Sequence, residues 1–165
     1  MTNEQYMQKA FAQALIAAKK DEVPVGAVIV DQKNGKIVSR AHNLSEHSKD
    51  CTAHAEILAI QKACKKLGTN RLREMDLYVT LEPCPMCAAA ISFARIEHLY
   101  FAAYDEKNGA VVNGVKFYEN KTCHHKPVCC GGIMQNESSA LLKNFFKNKR
   151  KNIDKINKRS YTVKH

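Results

Sequence analysis

His54-Ala55-Glu56 and Pro83-Cys84-Pro85-Met86-Cys87 place one imidazole, one carboxylate and two thiols in two short stretches of the chain. Zinc takes nitrogen and sulfur ligands in tetrahedral geometry; a structural site fills all four positions with protein, and a catalytic site leaves one for water. His54, Cys84 and Cys87 make three ligands, and Glu56 remains as the proton handler for the water. The set points to a hydrolytic zinc enzyme. Either stretch alone is weak, because His-x-Glu is common by chance and Pro-Cys-x-x-Cys also occurs in zinc knuckles and redox pairs. Together, in this order, they are specific. The competing reading makes His54 a helix cap and the cysteines ordinary buried thiols.

The elements that must position these groups follow from periodicity and punctuation. Asn3 is the expected N-cap of a first helix, in which Tyr6, Ala10, Phe11, Ala14, Leu15 and Ala18 recur at helical spacing to about Lys20. Pro24 to Val30 reads as a strand, Asn34-Gly35 as a hairpin turn, and Lys36 to Arg40 as the antiparallel return. A polar loop spans Asn43 to Cys51. Thr52 is the expected cap of a second helix through about Lys66, with Ile57, Leu58 and Ile60 on or near its buried side and Gly68 ending it. Leu77 to Leu81 is a buried-type strand stopped by Pro83. Pro85 suits the first turn of a third helix, Met86 to Ala94, where its missing N–H costs nothing. His98 to Ala103 is a strand, the stretch from Tyr104 to Lys121 is irregular, and a short strand includes Val128-Cys129-Cys130. Asn136 caps a last helix with Leu141, Leu142, Phe145 and Phe146 inside.

Strand–helix–strand units after the hairpin imply right-handed parallel crossovers, so the expectation is a mixed sheet of about five strands between helices. Both motifs then fall where a strand runs into a helix. Cys84 and Cys87, three apart, share a helix face. His54 and Glu56, two apart, share a pocket only if it lies over the helix mouth. Two helix N-termini aimed at one spot favour negative charge there, which lowers the pKa of thiol and bound water.

The 165 residues suit one domain, 1–165, with a basic C-terminal helix from about 143. Hydrophobic content of 45% and charged content of 25% are ordinary for a globular protein. No apolar run is long enough to span a membrane, and the first residues lack the pattern of a secretory signal, which points to the cytoplasm. Seven cysteines do not read as a disulfide framework. Lys143 to His165 holds nine Lys/Arg against Asp154 alone and so carries +8 of the net +10. A concentrated basic segment suits a polyanion partner, though a solvated helix face would show the same composition. Cys123, His124, His125, Cys129 and Cys130 form a second cluster whose spacings do not match the usual zinc patterns. Cys51 and Cys64 read as core thiols, and His47 and His98 as surface or packing residues.

The chain resembles the bacterial tRNA-specific adenosine deaminases of the cytidine deaminase superfamily. The resemblance rests on Val23 to Val28, His42-Asn43, Thr52 to Ile57, Leu77 to Cys84, Asp105-x-Lys107-x-Gly109-Ala110, and Leu141-Leu142-x-x-Phe145-Phe146 followed by basic residues. His42 stands where the family often has Trp, and the segments 44–49 and 118–122 are individual to this chain. The resemblance implies a cytidine-deaminase-like three-layer sandwich and hydrolytic conversion of adenosine to inosine at the wobble position of an arginine tRNA anticodon. It implies one zinc per chain on His54, Cys84 and Cys87 with a water in the fourth place. It makes Glu56 the residue that takes the water's proton and passes protons to the ring nitrogen and leaving amine, with attack at carbon-6. By the same carry-over Ala55 orients the base through its N–H, Asn43 touches base or ribose, Asp105 lies beside the target nucleotide, and Lys107, Lys149 and Arg150 meet phosphates. It also implies a homodimer. An anticodon loop suits the chemistry, since its bases are already unpaired and extruding one costs little.

Two other readings fit parts of the pattern. One is the same chemistry on a free base or nucleotide (guanine, cytosine or a cytidine compound), for which the basic tail has no use. The other is a zinc-stabilised RNA-binding subunit without turnover, for which Glu56 has no use.

Overall fold

A computed structural model describes residues 1–162, with side chains through Ser160; Lys164 of the basic tail lies outside the described residues. The first helix, α1 (Asn3–Lys19), leads into the hairpin of β1 (Gly26–Asp31) and β2 (Ile37–His42). A one-turn helix, α2 (Ser45–Ser48), and then α3 (Ala55–Leu67) follow. The chain continues through β3 (Met75–Leu81), α4 (Pro85–Ala94), β4 (His98–Ala103), β5 (Val128–Gly131) and α5 (Gln135–Thr162). The five strands form one sheet in the order β2-β1-β3-β4-β5. β1 is antiparallel to β2 and β3, and β3, β4 and β5 run parallel. The expected mixed α/β sheet between helices is therefore present.

Alternation along the strands sorts the core into two layers. Val28 and Val30 of β1 join Tyr6, Met7 and Ala10 of α1 and Tyr78 of β3 on one face. Ala27 and Ile29 join Leu77, Val79, Leu99 and Phe101 on the other, under Ala59 and Ala63 of α3 and Ala88 and Ile91 of α4. Full burial of a side chain such as Ile91 or Phe101 contributes roughly 1.5–3 kcal/mol. α1 lies close on β1 because Gly26 has no side chain: a Cβ there would stand 2.1 Å from the carbonyl oxygen of Ala10.

The helix starts differ from the sequence expectation. Thr2, not Asn3, caps α1 through a reciprocal box with Gln5, the Thr2 amide donating to Gln5 Oε1 at 2.8 Å and the Gln5 amide to Thr2 Oγ1 at 3.2 Å. Asn3 instead accepts from the Tyr78 hydroxyl at 2.7 Å. Thr52 does not cap α3; its hydroxyl donates to Asp50 at 2.7 Å, and His54 occupies the cap position. The expected polar loop after β2 contains α2, so His54 follows a folded connection, not a strand end. The buried stripe of α3 is Ala55, Glu56, Ala59 and Ala63; Leu58 and Ile60 flank it half-buried. Small residues face the sheet because α3 runs close above it. On α5 the expected inner face is only partly covered: Leu141, Leu142 and Phe145 are half-buried and Phe146 is 44% exposed. Cys51 is exposed and Cys64 half-buried, so Cys51 is not a core thiol. Among the described residues no helix is long and apolar enough to cross a membrane.

Candidate metal centre and nucleotide site

The N-termini of α3 and α4 bring His54, Cys84 and Cys87 together. His54 holds the cap position of α3 and Cys84 that of α4, each in extended backbone, and the His54 side chain makes no cap hydrogen bond to α3. The helix-cap alternative for His54 therefore fails. Its Nδ1 lies instead 3.7 Å from Cys84 Sγ and 3.5 Å from Cys87 Sγ. The three ligand atoms lie within 4.8 Å of one another, and among the described residues they form the only such cluster. One nitrogen and two sulfurs at these separations suit a tetrahedral ion with bonds of about 2.0–2.3 Å and one position to spare. Pro85 opens α4 without losing a needed hydrogen bond, and the first helical turn carries Cys87 back over the mouth.

Glu56 is 4% exposed at the second position of α3. Burial pushes its carboxyl up to about 7, against the pull of its own backbone N–H and of His54. A carboxyl poised there is suited to take and return a proton near neutral pH. Cys84 is lowered to about 4, chiefly by a hydrogen bond from the Cys87 side chain. Cys87 is raised by that same bond and by burial. His54 is raised by its bond to Cys84.

The remaining candidates differ in burial and in the partners they hold. Ala55 is the first residue of α3 and fully buried, where a helix amide has no partner of its own. Asn43 is buried, with its amide nitrogen donating to Glu22 at 3.2 Å and its oxygen accepting from Ser45 Oγ at 3.0 Å. Asp105 is half-buried, and its Oδ1 accepts the amides of Lys107 at 3.1 Å and Asn108 at 3.0 Å. This acid shapes its own loop. The Lys107 side chain is exposed. Lys149 pairs with Asp21 at 2.7 Å and lies 5.6 Å from the centre of the Phe145 ring; Arg150 is exposed on the same helix. Lys149 shares a groove of about 260 Å³ with Lys20, Asp21, Glu46, His47 and Lys49. His47 contacts Glu22, which also holds Asn43, so the basic helix reaches the flank of the Asn43 cluster.

Two buried carboxylates hold roles that the sequence does not assign, although Glu82 lies in the stretch Leu77 to Cys84 that carries the resemblance. Glu22 accepts the His47 amide at 2.7 Å, His47 Nδ1 at 2.9 Å, the Glu46 amide at 3.2 Å and Asn43 Nδ2. Burial raises its carboxyl, but the His47 and Glu46 bonds outweigh it and the net direction is down. Glu82 accepts five amide bonds from the loop 105–113; here too burial is outweighed and the carboxyl is held below its ordinary range. The one signal in the sequence was the position of Glu82, an acid between an apolar strand and Pro83. Of the second Cys/His cluster only Cys123 and His125 pack inward: Cys123 donates to the His125 carbonyl at 3.1 Å, and His125 Nε2 meets the Ile96 carbonyl at 2.6 Å, while His124, Cys129 and Cys130 are exposed. His98, read as a surface or packing residue, pairs with Asp76 at 2.8 Å.

Comparison with known proteins agrees with the geometry. The MafB19-like deaminase family model matches residues 1–150. The tRNA-specific adenosine deaminase of Agrobacterium fabrum is 50% identical over 145 residues, 88% of this chain and 94% of that protein. The protein of the same name from Bacillus subtilis is 44% identical over 149 residues, 90% of this chain and 91% of its own. A solved structure from work on A-to-I editing by tRNA:A34 deaminases at the wobble position superposes with a TM-score of 0.81 at 50% identity, covering 84% of this chain and 99% of that one.

Proposed function

The chain belongs to the family of tRNA-specific adenosine deaminases, and on that premise we propose that it converts adenosine to inosine at the wobble position of a tRNA anticodon, consuming water and releasing ammonia. The observation that carries the reading is the convergence of His54 Nδ1, Cys84 Sγ and Cys87 Sγ within 4.8 Å beside the buried Glu56. These three residues would hold one zinc ion per chain, which when bound acts as a Lewis acid and brings its water toward neutral pKa.

The chain's own residues do the rest. Glu56 accepts a proton from the attacking water and returns protons to the ring nitrogen and the leaving amine, a two-way role that its buried place beside the ligands suits. The Ala55 N–H orients the base from the start of α3. Asn43, fixed at both ends of its amide by Glu22 and Ser45, contacts base or ribose. Asp105 borders the target nucleotide. Lys107, Lys149 and Arg150 meet phosphates, and the basic face of α5 supplies salt-dependent attraction. The finer assignments have different grounds: an arginine tRNA as substrate and a homodimer rest on the motif resemblance, one deaminase domain over 1–165 on chain length, and a cytoplasmic location on the use of thiols as metal ligands.

The reading is tested by mass spectrometry of an anticodon stem-loop carrying adenosine at the wobble position, run beside free adenosine, cytidine and guanine. Inosine in the stem-loop and no change in the free compounds supports it. Deamination of the free compounds alone would replace it with a small-molecule deaminase.

A further inference from the structure

Glu82 lies in the short strap between β3 and the ligand Cys84 and is 2% exposed. Its Oε1 accepts the amides of Val111 at 3.2 Å, Val112 at 2.8 Å and Asn113 at 2.9 Å. Its Oε2 accepts the amide of Asp105 at 3.0 Å and Asn113 Nδ2 at 2.8 Å. All five donors are uncharged amides from one loop, so the carboxylate sits in a nest that replaces its hydration. Gly109 closes the nest: a Cβ there would stand 2.5 Å from Glu82 Cδ and 2.4 Å from the Asp105 carbonyl oxygen. The strap and loop are tied a second time, because the Ala110 amide donates to the Pro83 carbonyl at 2.9 Å. The loop so fixed carries Asp105 and Lys107.

We propose that Glu82 is a positioning residue for substrate recognition: its buried carboxylate clamps the loop 105–113 to the strap that bears the metal ligands, setting Asp105 and Lys107 against the RNA while taking no part in the bond-making steps. The inference rests on the functional reading above. A neutral amide cannot replace the carboxylate, since one end of Gln brings donors against donors. Loss of the carboxylate leaves inward-facing N–H groups without an acceptor. The loop then samples other conformations, and substrate binding suffers before chemistry does.

The test compares Glu82→Ala, Glu82→Gln and Gly109→Ala with the natural chain in steady-state deamination of the anticodon stem-loop, with zinc content measured on each. The expected result is a KM raised at least about tenfold, kcat within about threefold, and zinc content unchanged. Formate fits the hole left by Glu82→Ala and should restore KM by at least about threefold, where chloride at equal ionic strength does not. Gly109→Ala keeps the carboxylate and should reproduce the KM rise by displacing it, which covers the case in which Glu82→Ala does not fold. KM values within about twofold of the natural chain in all three variants would overturn the proposal. So would a parallel loss of zinc, kcat and KM that formate does not touch, since that is the behaviour of a purely structural residue. If the natural chain leaves the stem-loop unchanged, the functional reading fails and the clamp is judged by amide exchange. Faster exchange at residues 105 and 111–113 in Glu82→Ala, slowed again by formate, then upholds the clamp, and unchanged exchange overturns it.

Discussion

His54 Nδ1 stands 3.5 Å from Cys87 Sγ, although the two residues are 33 positions apart and belong to different helices. The sheet order explains how. β3 delivers the chain to the N-terminus of α4 from the middle of the sheet, and α3 runs beside α4 on the same face. Two helix mouths therefore open at one place, and each contributes its cap residue to the candidate metal site. An ion bridging them would tie α3 to α4 and so couple metal binding to fold stability.

Replacing Cys87 with Ser should therefore remove the metal and lower the thermal midpoint together. We expect about one zinc per natural chain, well under half of that in the variant, and a midpoint lower by at least about 5 °C. Zinc analysis and calorimetry on the same preparations check this. Equal midpoints would show that the metal does not pin the two helices.

Glu56→Ala should keep both zinc and stem-loop binding while slowing deamination by roughly 10²–10⁴-fold, the usual range for loss of a general acid–base. Single-turnover assays at saturating enzyme isolate the chemical step. Turnover at the natural rate would show that the proton travels by another group.

Glu22 gives a prediction about acid stability. Burial alone would raise its pKa, but the bonds from His47 and Glu46 leave it below the ordinary 4.5. A folded-state pKa lower than the unfolded one means that the unfolded chain binds the proton more readily. The stabilisation is therefore fully present above pH 4.5 and is lost as the pH falls through the folded value. Glu22→Gln should be less stable at neutral pH, and its midpoint should approach that of the natural chain under acid. Midpoints measured from about pH 3 to 7 for the two proteins test the sign; a difference that stays constant across the range would contradict it.

Ending the chain after Phe146 removes eight Lys/Arg against one Asp. Stem-loop affinity should fall, and the slope of log K against log salt should become shallower by about 0.7–0.9 for each phosphate no longer neutralised. Zinc content and the rate at saturating RNA should hold. An unchanged slope would make the tail a solubility device.

The chemistry was legible in the sequence because ligand identity and short spacing survive translation into structure. His54, Cys84 and Cys87 needed only the right helix starts to meet. The caps themselves were misassigned: Asn3 beside Thr2, and Thr52 beside His54, are nearby polar residues, and which one takes the cap position depends on the partner the other finds. Asn3 found Tyr78, distant in sequence, and Thr52 found Asp50, two residues back in a local turn. The roles of Glu22 and Glu82 were illegible for a deeper reason. Their partners are largely backbone amides of distant loops, which carry no side-chain signature. The alanine stripe of α3 was hidden by the larger Ile57, Leu58 and Ile60 beside it, since hydropathy ranks size and not the closeness of helix to sheet. On α5, Phe145 and Phe146 were legible as apolar, but their pattern does not say how much of the helix finds a partner within one chain.

A three-ligand metal centre with Glu56 beside it should deaminate adenosine in an RNA loop only when the metal is present. The decisive experiment follows inosine formation in a wobble-adenosine stem-loop while zinc is removed by a chelator and then returned, with metal content recorded at each step. The prediction is inosine that rises in proportion to zinc, reaches its maximum at about one ion per chain and is absent when the site is empty. Inosine formed at the full rate by metal-free protein, or none formed by the fully loaded chain, would contradict it.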